Sequence, residues 1–164
     1  MIKKVLIKSK VVTLLLCFIL CSCTPSSDVV FHTFKSVNPS GWLKYDSLTY
    51  TIPIHKKEDL IYELELRHLA HYKYKDLILS LTHNFNDSTH WQSDTLSISL
   101  ADNEGRWIGI GLGSIFQIED TLYIKKSQQP GNYTLKITQL MNDNFIKGIH
   151  DIGIRITPLY PANP

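Results

Sequence analysis

The chain has 164 residues, with 17 Lys and Arg against 15 Asp and Glu. Four of the basic residues fall within the first ten, so the remainder carries 13 cations against 15 acids. With no basic stripe or Lys/Arg cluster outside that leader, the composition argues against a nucleic-acid binder.

The first element is a leader. MIKKVLIKSK carries Lys3, Lys4, Lys8 and Lys10 and no acid, and the apolar run VVTLLLCFILCS follows it. Twelve helical residues span about 18 Å against a hydrocarbon core of about 30 Å. That is too short to cross comfortably, so residues 1–22 read as a secretory signal peptide. All three cysteines, Cys17, Cys21 and Cys23, lie in or just after this run. Leu20-Cys21-Ser22-Cys23 resembles a lipobox, with small Ser22 directly before Cys23 and apolar Leu20 at −3. Cys17 and Cys21 both follow leucine, which is too bulky there. Cys23 is therefore the expected lipidation site, because thiolate chemistry is what the acylation needs. Two or three acyl chains make a stable anchor where one does not. Residues 23–28 then read as a lipidated tether, and the mature chain keeps no thiol for a disulfide.

From residue 29 to residue 160 the dominant signal is period two. Strands are expected at 29–37, 47–54, 60–69, 76–85, 94–100, 120–127, 131–140 and 148–160. In LIYELELRHL, Leu60, Tyr62, Leu64, Leu66 and His68 share one face; in DLILSLTHNF, Leu77, Leu79, Leu81, His83 and Phe85 do. Alternation of this kind marks half-buried strands. Turn chemistry separates the runs at Asn38–Gly41, His55–Asp59, Asn86–Thr89, Asp102–Gly105 and Pro130–Asn132. About eight strands in one domain, 29–160, give an all-β, antiparallel β-sandwich, Ig-like or jelly-roll-like. The one stretch with helical promise is TQLMNDNFIKGI, 138–149.

GRWIGIGLGS, 105–114, places Gly109, Gly111 and Gly113 beside Trp107. A dinucleotide fingerprint needs a helix next, and Ser-Ile-Phe-Gln-Ile reads as a strand. The glycines therefore read as bulge or close-approach positions, and Trp107 as one wall of a partner groove. The seven histidines show no metal-ligand spacing: His68 and His71 fall on opposite faces, and His83 and His90 flank a turn. Glu63 and Glu65 sit about 7 Å apart on one strand face. They read as counter-charges to cations on neighbouring strands rather than a glycosidase pair. Trp42, Tyr45, Tyr50, Tyr72, Tyr74 and Trp91 lie in or near loops, which leaves a glycan-binding surface lipoprotein of a polysaccharide-utilisation system as the alternative function. Asp-[Ser/Thr] triplets at Ser47, Ser88, Thr95 and Thr121 resemble O-glycosylation acceptors of Bacteroidetes envelope proteins, and also suit simple turns.

Three stretches, DLIYELELRHLAHYKYKDLILSL, DTLSISLADNEGRWIGIGLGSIFQ and GIHDIGIRI, together with the lipobox at Cys23, make the chain resemble the GldH family of gliding-motility lipoproteins of Bacteroidetes. The resemblance implies a lipid-anchored outer-membrane accessory of the gliding machinery, linked to type IX secretion, facing the periplasm or the cell surface. It implies no enzyme activity, no cofactor and no metal. Its partners would be the membrane, through the N-terminal lipid, and other envelope proteins of that machinery. The partner surface is expected at Arg106, Trp107, Gly109, Gly111 and Gly113 together with Asp151 and Arg155, where Asp151 and glycines interrupt regular strands.

Overall fold

The computed structural model describes residues 29–160. The signal peptide 1–22, Cys23 and the tether lie outside the described residues. All described regular structure is strand: β1 Phe31–Ser36, β2 Trp42–Leu43, β3 Leu48–Ile54, β4 Glu58–Leu69, β5 Asp76–Asp87, β6 His90–Ser99, β7 Ile110–Leu112, β8 Ile115–Gln128, β9 Gly131–Gln139, β10 Phe145–Ile146 and β11 Ile149–Pro158. Each of the eight strands expected from period two is present. They form a five-stranded sheet, β1-β11-β4-β8-β7, and a four-stranded sheet, β3-β9-β5-β6, with β10-β2 as a two-stranded ribbon.

The pairing is nested. β5 pairs β6, β4 pairs β8, β3 pairs β9 and β1 pairs β11, all antiparallel. One long hairpin folded over itself gives that pattern, which is the jelly roll rather than the Ig arrangement. The physical reason lies in the alternation. Leu60, Tyr62, Leu64, Leu66 and His68 of β4 meet Leu77, Leu79, Leu81, His83 and Phe85 of β5 in one buried layer. Ile152, Ile154 and Ile156 of β11 and Tyr50, Ile52, Leu135 and Ile137 of β3 and β9 complete it. The inward side chains form one buried cluster, and a one-residue slip of a strand would expose its whole set. The Tyr50 hydroxyl crosses between sheets and donates to the Ile152 carbonyl at 2.7 Å.

No helix forms at 138–149, the one stretch with helical promise. Gln139 ends β9 and its side chain replaces helical hydrogen bonds: Oε1 accepts from Met141 N at 2.8 Å and Nε2 donates to the Asp143 carbonyl at 3.1 Å. Residues 145–146 then pair with β2, Phe145 opposite Leu43 and Ile146 opposite Trp42. A segment without helix caps yields to a side chain that satisfies its backbone directly.

The register sorts the connections by end. The chain enters at Val30, whose N–H bonds the Ile156 carbonyl, and leaves near Leu159, bonded to Asp59. The short β3–β4, β5–β6 and β8–β9 turns share this entry end. The longer connections, 37–47, 70–75, 100–109 and 140–148, all gather at the opposite, far end.

Candidate functional site

The outer face of the five-stranded sheet carries charge where the inner face carries apolar side chains. On β11, Arg155 Nε lies 3.1 Å from Glu63 and 3.3 Å from Glu65, and its Nη2 lies 3.6 Å from Glu119 on β8. Glu65, only 4% exposed, also meets His32 of β1 at 3.0 Å. Glu63 and Glu65 thus balance cations on neighbouring strands, as their spacing suggests. Ion pairs of this kind brace β4 against β1, β8 and β11.

Nearer the far end, Arg67 of β4 is the hub. Its guanidinium sits 3.9 Å from the Phe34 ring centroid, its Nε donates to Gln117 at 2.8 Å, and its Nη1 lies 3.6 Å from Asp151. The Phe34 ring lies across Gly153, where an added Cβ would come within 2.6 Å of it. Asp151 is buried and also meets His150 Nδ1 at 2.9 Å. His150 is the extra residue of a β-bulge, because Ile149 and Asp151 face consecutive β4 residues. The bulge aims its ring outward.

The glycine-rich stretch forms the β7–β8 hairpin. Gly113 has φ +65° and Ser114 does not turn positive, the type II′ pattern for a two-residue loop. Gly109 has φ +92°, and a Cβ there would approach the Gln117 carbonyl oxygen to 2.3 Å. These glycines are required by a hairpin pressed onto β8. Trp107 is half-buried and packs edge-on against His68 at 4.7 Å; Phe116 stacks on His68 at 5.5 Å and lies 6.2 Å from Trp107, so the three rings form one cluster. Arg106 is exposed and held by Asp102 at 2.8 Å and Glu104 at 3.3 Å. The Arg106 backbone N–H, bonded to Asp102, is the main cause that holds that carboxyl below the usual range.

Two stretches distant in sequence therefore meet. A cavity of about 480 Å³ is lined by Ile110, Gly111, Ile115, Gln117, Arg67 and His150. Its rim is apolar, and Ile110 is 76% exposed. Asp151 stands behind this surface, holding Arg67 and His150 in place, and Arg155 lies further along the strand. Sequence reasoning missed Arg67 and Gln117. The available signal for Arg67 was its place as the one cation on the outward face of an otherwise acidic strand.

The other candidates disperse. Trp42, Tyr50 and Tyr72 are core residues, and the Trp42 indole donates to the Asp46 carbonyl at 2.9 Å. That removes Trp42 from any glycan platform and leaves Tyr45 and Trp91 as exposed candidates, far apart in sequence. His83 bonds Asp94 at 3.0 Å, while His90 bonds Asp87 at 2.8 Å. Asp87 is held at a pKa of about 2, first by the Thr89 backbone N–H and then by the Thr89 hydroxyl and His90. Among the described residues, no three His, Cys, Asp or Glu side chains converge as metal ligands.

Known proteins share this sequence pattern. A chain from Christiangramia forsetii described as a gliding motility lipoprotein GldH homolog is 32% identical over 108 residues, covering 58% of this chain. The match spans 65% of that relative's length. Among solved structures, the Eiger TNF of S. frugiperda aligns over 84% of this chain and 96% of its own, at 9% identity and TM-score 0.39. A Clostridium thermocellum xylanase chain with CBM22 and GH10 modules aligns over 83% of this chain and 30% of its own, at 16% identity and TM-score 0.37. The model of the GldH lipoprotein family matches residues 29–156, nearly the whole described domain, and the chain belongs to that family.

Proposed function

We infer that this chain is a non-catalytic docking module of the gliding apparatus, linked to type IX secretion and held in the outer membrane by lipid on Cys23. The domain faces the periplasm or the cell surface. The observation that supports this reading most is the meeting of Ile110 and Gly111 with Arg67 and His150 around one cavity, at the end of the sandwich opposite the chain's entry. A tether confines the domain to a membrane plane, so that weak contacts at its far end become occupied.

The surface test uses Arg106→Glu with Ile110→Asp, two exposed positions outside the core. In the host, the pair should remove co-purifying envelope proteins and reduce gliding or secretion, with the thermal midpoint unchanged. Retention of both would place docking elsewhere. The anchor test is Cys23→Ser, which should leave the circular dichroism spectrum intact and move the protein out of the membrane fraction. Membrane retention as an acylated species would assign the lipid to another residue.

Ser47, Ser88, Thr95 and Thr121 are all exposed, which suits them as O-glycan acceptors. Intact mass of protein from the native host, compared with the four-fold alanine variant, reads their occupancy directly.

A further inference from the structure

A second recess at the far end has a different character. A groove of about 400 Å³ is lined by His71, Lys73 and Tyr74 of the β4–β5 connection and by Asp143, Phe145 and Lys147 of the β9–β11 connection. Its one acid, Asp143, is engaged by the Tyr74 hydroxyl. Its lysines are not engaged by acids: among the described residues Lys73 and Lys147 have no carboxylate partner. Each lies instead above an aromatic ring, Lys73 at 5.5 Å from Tyr74 and Lys147 at 5.9 Å from Phe145. Phe145 faces Leu43 across the β10–β2 ribbon, and both are partly exposed; Tyr45, just beyond, is 90% exposed. The result is a cationic groove with an aromatic floor and an apolar shoulder, on a mature chain whose overall balance is acidic.

We propose that this groove binds an acidic, extended segment of a partner protein, with carboxylates at Lys73 and Lys147 and one apolar side chain against Phe145 and Leu43. Charge complementarity selects the acid. Lysines already placed over rings lose little further freedom on binding, and each keeps N–H donors for a carboxylate. An anionic membrane is the competing occupant for Lys and aromatic side chains together. The observations favour the segment, because the two lysines and Phe145 line a recess of about 400 Å³ rather than a flat face, and a recess admits an extended chain more readily than a bilayer surface.

The full lipidated chain, reconstituted in phosphatidylcholine vesicles, can be used to select from a phage-displayed library of random dodecapeptides. Enriched sequences are expected to be acidic with at least one apolar residue. A synthetic peptide of the enriched sequence should lose affinity about tenfold or more on Lys73→Glu with Lys147→Glu, and progressively with added salt. Lys126→Glu, at an exposed position on β8, should change nothing. Neutral or basic enriched sequences, no enrichment, or binding indifferent to the charge reversal would overturn the proposal. Bridging to a second set of vesicles containing phosphatidylglycerol, abolished by the same reversal, would overturn it in favour of a lipid surface. Fractionation of Cys23→Ser bears on the anchor alone, so the two readings fail separately.

Discussion

His68 concentrates the local chemistry of the far end. It is fully buried among Trp107, Phe116 and Tyr72, and its Nδ1 lies 3.3 Å from the Leu69 carbonyl. A carbonyl only accepts, so Nδ1 carries a proton, while Nε2 has no partner. Burial lowers its pKa, against a smaller opposing effect of the Leu69 carbonyl. His83 is lowered too, by burial more than its Asp94 bond restores. A folded pKa below the unfolded one means that the unfolded chain takes up protons first as pH falls. The stabilisation is therefore present above about pH 6.5 and is lost as pH drops through the folded values. The urea midpoint should fall between about pH 7 and pH 5, above the window in which Asp87, Asp94 and Asp102 titrate. His68→Phe should flatten part of that slope. An unchanged slope in the variant would assign it to other groups. At this scale the sequence was half legible. His68 is placed in the apolar row by simple alternation, whereas its contact with Trp107 depends on a hairpin that no local pattern specifies.

Among elements, β4 is covered on both faces, with Glu65 buried and Glu63 and Arg67 half-buried on the outward one. Its inward row is apolar and its outward row, Glu63, Glu65 and Arg67, is covered by side chains from β1, β8 and β11. Arg155 is central to this cover because it faces three carboxylates. Replacing it by methionine should cost about 2 kcal/mol in urea unfolding, less than for a fully buried pair because the guanidinium is partly exposed. Glu65→Gln in the Arg155→Met background should restore part of the loss, and a double-mutant cycle would show the coupling. Additive costs would mean that the lattice is not a unit. Alternation located each long strand because the core imposes period two on it. It gave no sign that Glu65 is buried, because outward-face cover comes from other strands. The stretch 138–149 shows helical promise without becoming a helix for a related reason: the Gln139 bonds that shape it are side-chain contacts, invisible to periodicity.

For the whole molecule, the nested register decides which sequence segments become neighbours. It brings Gly111 to His150 and Lys73 to Lys147, pairs separated by long stretches of chain. The groove at Lys73 and Lys147 left no trace in the sequence, since one wall is a loop and the other a loop around the two-residue strand β10. The fold class was legible because it depends on strands, and the candidate surfaces only in part because they depend on loops. The same nesting bears on how the protein comes into being. β5 finds β6 two residues away, but β1 must wait for β11, which is nearly the last part of the chain to be made. Distant pairing of this kind makes folding slow, on the scale of milliseconds to seconds. Refolding from urea should therefore show β5 and β6 amides protected before those of β1 in pulsed hydrogen exchange, and simultaneous protection would argue against closure from the inside out. A chain whose first strand cannot pair early stays unfolded at its leading end, which is the state in which an exported protein crosses a membrane and meets the enzymes that process its N-terminus.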